Sequence, residues 1–246
     1  MKNNYYNLKN LKDIHLKANL KSEIVSELLY GEEFRIISKN KNWIKIKTFY
    51  DGYFGFITNK DLTQTFLPSH KISKLKAQIF LKKKDKFIKS KSFLPFASRI
   101  SVISRDKKFS KFEKNKWIKN SDIQKNKKNR QDYIKMFKSF LNIGYKWGGK
   151  SFKGIDCSGL IQILFYYNNI YCPRDTKKQL PYFRKEKKIP CKLRKNIIFW
   201  KGHVAYCLDK KKLIHAYGPK KKVVIMNTKK TINKIFKDTK LKPIYI

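Results

Sequence analysis

Apolar and polar residues alternate in short runs through the first half of the chain, as in Phe34-Arg35-Ile36-Ile37, Trp43-Ile44-Lys45-Ile46-Lys47 and Ile100-Ser101-Val102-Ile103. A period of two sends successive side chains to opposite faces, which predicts half-buried strands. Asp51-Gly52, between Lys47-Thr48-Phe49 and Tyr53-Phe54-Gly55-Phe56, marks a turn. The pattern also repeats. Leu16-Lys17-Ala18-Asn19-Leu20 is echoed by Leu75-Lys76-Ala77-Gln78-Ile79, and Phe56-Ile57-Thr58-Asn59-Lys60-Asp61-Leu62 by Trp117-Ile118-Lys119-Asn120-Ser121-Asp122-Ile123, at offsets of 59 and 61 residues. Two small β-barrels in tandem are predicted, then a polar linker, Gln124-Lys125-Asn126-Lys127-Lys128-Asn129-Arg130.

Beyond the linker the period changes. Tyr133, Ile134, Met136, Phe137, Phe140 and Leu141 recur at helical spacing behind Asp132, a capping residue type. A turn over Gly144-Tyr145-Lys146-Trp147-Gly148-Gly149 precedes Gly154-Ile155-Asp156-Cys157-Ser158-Gly159. Leu160, Ile163, Leu164 and Tyr167 then form a second helical stripe. Cys157 is therefore expected at the start of a helix, where unpaired N–H groups and the positive end of the dipole favour a thiolate. A lowered thiol pKa is the expectation there.

Two of the four histidines fall in Gly202-His203-Val204-Ala205-Tyr206 and Leu213-Ile214-His215-Ala216-Tyr217, both alternating like strands, with Asp209-Lys210-Lys211 suited to the turn between them. A three-residue loop pairs 205 with 215 and 203 with 217. His203 and His215 then become diagonal neighbours on one face. One imidazole is placed to take a thiol proton while the other fixes its tautomer. His15 and His70 have no such company and read as ordinary strand residues.

Composition narrows the class. With 41% apolar and 15% aromatic residues, 246 residues can build packed cores. The formal charge of +43 invites a polyanion, but only seven of the 60 basic residues are arginines and the lysines are spread over the whole length. Base and phosphate recognition favours the arginine fork, so no nucleic-acid partner is expected. Lys, Asn, Ile, Phe and Tyr are abundant together, as A/T-rich coding would produce. No run approaches about 18 apolar residues, and the first twenty lack the apolar core of an export signal. The expectation is a cytoplasmic protein without membrane contact. Cys157, Cys172, Cys191 and Cys207 show neither paired nor zinc-like spacing, so no metal or other cofactor is expected, and the last three are expected to pack in the core.

Five segments in order, Tyr145-Lys146-Trp147-Gly148-Gly149, Asp156-Cys157-Ser158-Gly159, Cys172-Pro173-Arg174-Asp175-Thr176 through Gln179, Phe199-Trp200-Lys201-Gly202-His203-Val204 and Ile214-His215-Ala216, resemble the NlpC-type cell-wall peptidases. Those are papain-like cysteine enzymes that cut peptidoglycan stem peptides next to D-glutamate. Leu29-Tyr30-Gly31-Glu32 and Gly52-Tyr53-Phe54-Gly55-Phe56 resemble bacterial Src-homology-3-like modules, more closely in the first barrel than in the second, which lacks the glycine-rich hairpin. The resemblance implies an α+β chain: Src-homology-3-like barrels at 12–66 and 70–125, and a papain-like cysteine peptidase domain at 130–246.

By position, the resemblance implies Cys157 as nucleophile, His203 as base and His215 as orienting residue, with Tyr145 and the Cys157 N–H holding the oxyanion. Asp156 and Ser158 flank the nucleophile beside the stem peptide. Asp175 and Thr176 fall where the dipeptidyl-peptidase branch receives the substrate's free α-amine; that branch releases L-Ala-γ-D-Glu from murein peptides in wall recycling. Trp147 and Trp200 are expected to pack, and Arg174 is a candidate for a structural ion pair. Three departures stand out: Lys195-Asn196 where Gly-Asp is usual, Lys146 in place of an apolar residue, and Thr176 in place of serine. An exported wall endopeptidase and a polyanion-binding protein with an incidental peptidase fold are the alternatives. The oligomeric state is left open.

Overall fold

The computed structural model describes residues 4–127, 132–186, 189 and 191–246. The chain divides into two compact units, Met1–Lys128 and Asn129–Ile246.

In the N-terminal unit an antiparallel seven-stranded sheet runs in the order Ile24–Leu29, Leu11–His15, Phe54–Thr58, Trp43–Thr48, Glu33–Asn40, Asn4–Asn7, Leu62–Thr63. Alternation decides which residues turn inward. Ile44 and Ile46 are sealed with Ile14, Leu28, Phe34 and Ile57, while Lys47 between the strand's buried positions faces out. Asp51-Gly52 closes the hairpin as expected, with the Thr48 N–H on the Tyr53 carbonyl at 2.9 Å. Residues 70–125 form a five-stranded sheet (Lys86–Pro95, Lys76–Lys83, Lys116–Lys119, Phe109–Glu113, Ser104–Arg105) and a three-stranded one (Arg99–Ile100, His70–Ile72, Ile123–Lys125). Their shared core holds Ile72, Ala77, Ile79, Leu94, Ile100, Phe112, Ile118 and Ile123.

Three expectations for this unit need correction. The echo of 16–20 in 75–79 is not structural: Lys76–Lys83 is a strand, whereas Leu16 and Leu20 are exposed around a turn. The Asn19 side chain accepts the Lys21 N–H at 2.9 Å there, a local bond that competes with a strand ladder. Alternation over 100–103 stops at Ile100 because serine hydroxyls replace the ladder. Ser69 Oγ takes the Val102 N–H and Ser101 Oγ bonds the Leu67 carbonyl. The linker begins later than composition suggested, since Gln124 and Lys125 pair with Lys71 and His70; its residues 128–130 lie outside the described residues.

Tyr30 joins the two halves of the unit. Tyr30, which follows the Ile24–Leu29 strand, is buried in the core of the 70–125 sheets and meets Phe112 edge-on at 5.7 Å. Its carbonyl accepts the Arg99 N–H at 2.9 Å. Gly31 follows with φ +72°, and a Cβ there would collide with the Arg99 carbonyl. Glu32 Oε2 then accepts the Leu29 N–H at 2.9 Å.

The C-terminal unit opens with α1 (Tyr133–Ser139), capped by Asp132 through the Ile134 and Lys135 N–H groups. Next comes α2 (Cys157–Tyr167), buried on every side rather than along the single stripe its periodicity suggested. A helix apolar all round belongs in a core. Then α3 (Thr176–Lys185), α4 (Cys191–Lys195) and α5 (Thr228–Thr239) accompany an antiparallel sheet ordered Lys222–Asn227, Lys212–Tyr217, His203–Cys207, Ile197–Trp200, Ile244–Tyr245. Phe137 stacks on Tyr206 at 4.2 Å, and Phe183 stands between Phe165 and Phe199, so α1, α2 and α3 bind to the sheet through aromatic rings. Ile235 of α5 joins Trp200, Ala205, Leu213, Tyr217 and Val224 in a further core. Among the described residues no helix is long and apolar enough to cross a membrane.

Gly31→Ala is expected to cost the N-terminal unit about 2–4 kcal/mol, through left-handed strain and the collision with Arg99. The measurement is the shift of that unit's denaturant midpoint; an unchanged midpoint would refute the account of the Tyr30-Gly31 step.

Candidate active site

Asp156 ends an extended segment and caps α2, its Oδ1 accepting the Gly159 N–H at 2.6 Å. Cys157 is consequently the first helical residue. Its own N–H is one of the groups a helix start leaves without an intrahelical partner. Asp156 does more than cap. Its Oδ2 takes the Gly148 N–H at 2.9 Å and Arg174 Nη2 at 2.6 Å, and its Oδ1 takes Arg174 Nη1 at 2.9 Å and the Ser158 hydroxyl at 3.2 Å. Arg174 also donates to Ser158 Oγ and to the Gly149 carbonyl. Arg174 is 2% exposed and Asp156 4%, so this is a dry ion pair. Gly159 is needed at its place, because a Cβ would collide with the Gly149 carbonyl.

The thiol of Cys157 takes hydrogen bonds from the backbone N–H groups of Ser158 and of Val204, the residue after His203. The sulfur thus lies against the start of the His203–Cys207 strand. Burial pushes the thiol up to about 12, with the Asp156 carboxylate adding to the rise; those two N–H groups and the Arg174 charge pull the other way and do not prevail. The expected low pKa is overturned, because losing water costs a thiolate more here than the helix start returns.

The histidine hairpin has the expected register. Tyr206 pairs with Ile214 and Cys207 with Leu213, and Asp209 closes the turn by accepting the Lys211 and Lys212 N–H groups. His203 Nε2 lies 2.8 Å from His215 Nδ1. His215 is fully buried, its ring stacked on Tyr217 at 4.6 Å, and its Nε2 lies 3.4 Å from Met226 Sδ. Burial holds His203 down to about 4. His215 falls to about 3, from burial first and then from His203 and Lys220. Both rings are neutral at pH 7, and the contact between them engages Nε2 of His203, so Nδ1 is the His203 nitrogen left outside it.

Tyr145 enters from a loop whose N–H bonds the Lys221 carbonyl at 2.8 Å. Burial first, then Cys157 and Asp156, raise its hydroxyl to about 12, so it stays a proton donor. Asp175 and Thr176 are half-buried at the start of α3, where the Asp175 carbonyl accepts the Gln179 N–H at 2.8 Å. Tyr145, Asp156 and Ser158 gather around Cys157, and His203 pairs with His215 on the strand whose Val204 N–H meets the thiol; Asp175 and Thr176 stand at the start of α3. Trp200 is packed as expected, but Trp147 is 61% exposed. Cys172 is fully buried and Cys207 half-buried; the side chain of Cys191 lies outside the described residues.

Arg174, Gln179 and Met226 carry more than their sequence context showed. Gln179 Nε2 donates to the Ser158 carbonyl at 3.0 Å and the Pro173 carbonyl at 2.9 Å, tying α3 to the first turn of α2. The Pro-Arg-Asp-Thr to Gln spacing was the available signal for Gln179. Met226 had none, since its place depends on a strand pairing across residues 218–221.

Two outcomes follow from this geometry. Arg174→Met leaves a dry carboxylate without its counter-charge and should destabilise the C-terminal unit by about 3–5 kcal/mol; Arg174→Lys, which cannot reproduce the fork, should also lose stability. Both are read from the unit's denaturant midpoint. The lowered histidines mean that the folded state binds fewer protons than the unfolded chain between about pH 4 and 6.5. Stability should therefore rise with pH through that window, and His215→Asn should flatten the rise. Hydrogen exchange of the 197–217 strands at pH 4.5 and 7 is the check.

Residues 143–240 match the NlpC/P60 family, and residues 16–62 match the bacterial dipeptidyl-peptidase Sh3 domain. Dipeptidyl-peptidase 6 of Lysinibacillus sphaericus is 24% identical over 83% of this chain and 84% of its own length. The γ-D-glutamyl-L-lysine dipeptidyl-peptidase of Bacillus subtilis (strain 168) is 26% identical over 63% of this chain and 57% of its own. In fold, the crystal structure of an NlpC/P60 family protein from Bacillus cereus ATCC 10987 superposes with a TM-score of 0.75 at 18% identity, covering 91% of this chain and 94% of that one. The chain is a cysteine peptidase with an NlpC/P60 domain over residues 143–240 and a bacterial dipeptidyl-peptidase Sh3 domain over residues 16–62.

Proposed function

We propose that this peptidase hydrolyses γ-D-glutamyl bonds in peptidoglycan-derived peptides, releasing L-Ala-γ-D-Glu from murein stem peptides during wall recycling in the cytoplasm. In this reading Cys157 is the nucleophile, His203 its base and His215 the orienting partner. The carrying observation is the 2.8 Å His203–His215 contact beside a thiol that heads α2. Residues 70–125 are read as a second, divergent Src-homology-3-like module, within domain limits of 12–66, 70–125 and 130–246.

The chemistry begins from a neutral thiol and a neutral imidazole. As the sulfur attacks the γ-carbonyl, His203 Nδ1 takes its proton, so no standing ion pair is needed. The oxyanion is held by the Cys157 N–H and the Tyr145 hydroxyl. His203 then passes the proton to the departing amine, and water releases the acyl group by the reverse sequence. Asp156 and Ser158 shape the stem-peptide side of the nucleophile, and Asp175 with Thr176 receives the substrate's free α-amine. The relative named for γ-D-glutamyl-L-lysine supports that bond class.

Incubation with L-Ala-γ-D-Glu-L-Lys and its diaminopimelate counterpart, with products identified by mass, is the test. L-Ala-γ-D-Glu is the expected product, and Cys157→Ala should lower kcat by at least about a thousandfold. N-acetylation of the substrate should lower kcat/KM sharply in wild type and much less in Asp175→Asn, since an ammonium leaving water needs its carboxylate. Equal rates on free and acetylated peptide would favour a wall endopeptidase, and full activity in Cys157→Ala would end the reading.

A further inference from the structure

We infer that Met226 is a positioning residue: its sulfur accepts the Nε2–H of His215 and so fixes the tautomers of both histidines. The inference rests on the reading of His203 as base.

His215 is 0% exposed, so no bulk water reaches its ring. Its nitrogens face two partners, His203 Nε2 at 2.8 Å and Met226 Sδ at 3.4 Å. A thioether has lone pairs and no proton, so it can only accept. If Nε2 of His215 were bare, two lone pairs would face each other in a dry site. With the proton on Nε2, Nδ1 is the acceptor and His203 must present Nε2–H to it. The one nitrogen of His203 left bare is Nδ1, the atom that serves the thiol. A sulfur two steps from the reaction thereby sets the state of the base.

The sheet holds this chain of three in place. Leu213 pairs with Met226 and His215 with Val224, so Met226 and His215 are diagonal neighbours on one face. The parallel Tyr217 ring, inclined by 12°, fixes the plane of the His215 imidazole. Rotating His215 to exchange its nitrogens would have to break that stack.

The test labels the four histidines with nitrogen-15 and reads ring-nitrogen shifts in the full chain at pH 7, without substrate. Wild type should show His203 and His215 both as the Nε2–H form. Met226→Leu keeps the bulk and loses the acceptor; it should give His215 a mixture of tautomers and lower kcat roughly fivefold with KM unchanged. Met226→Gln supplies an acceptor of similar length and should restore both readouts. An Nδ1–H form of His215 in wild type would overturn the inference. So would a Met226→Leu protein whose tautomers do not change, whether or not its rate falls. The nitrogen shifts need no turnover, so a protein inactive on murein peptides would refute the substrate reading and still decide the role of Met226.

Discussion

The buried pair of Asp156 and Arg174 is the constraint on which the site depends. Neither charge reaches water, and the carboxylate is satisfied only because a guanidinium, two backbone N–H groups and a hydroxyl converge on it. Such a pair adds little net stability over an apolar substitute, but half of it is intolerable. That asymmetry makes it a positional device. The Gly148-Gly149 loop, the first turn of α2 and the segment before α3 cannot move apart without stranding a charge. Cys157, the Tyr145 loop and the start of α3 are fixed by one electrostatic node.

Around that node, the Cys157 thiol and the His203 and His215 rings stay uncharged. Desolvation raises the thiol and lowers both imidazoles, so the proton sits on sulfur. A thiolate formed in advance would stand beside the Asp156 carboxylate in a dry pocket. In the proposed mechanism proton transfer waits for the moment of attack, which avoids this and requires that His203 have its free nitrogen on the thiol's side beforehand.

Legibility in the sequence followed the range of each interaction. The His203–His215 geometry could be read because a three-residue turn sets the register and the register sets the face. Cys157 at a helix start could be read from Asp156 and the following apolar spacing. The thiol pKa could not, since the helix-start effect is local whereas its desolvation comes from segments distant in sequence. The echo at 16–20 misled because similar letters there serve a turn organised by Asn19. The second echo lies on a strand, turn and strand in both places: Phe56–Leu62 spans the end of one strand and the start of the next, as does Trp117–Ile123. Met226 depends on the pairing of Lys212–Tyr217 with Lys222–Asn227, and no rule of turn length for residues 218–221 gave that register.

Tyr30 has a consequence for how the N-terminal unit comes apart. The ring leaves the strand that carries it and completes the core of residues 70–125. A fragment ending near residue 66 would lose the edge-on contact of Tyr30 with Phe112, and the complementary fragment would keep a ring-sized hole beside Phe112. The two sheet systems are therefore expected to melt as one cooperative block, and proteolysis between them should yield pieces that reassociate rather than independent modules.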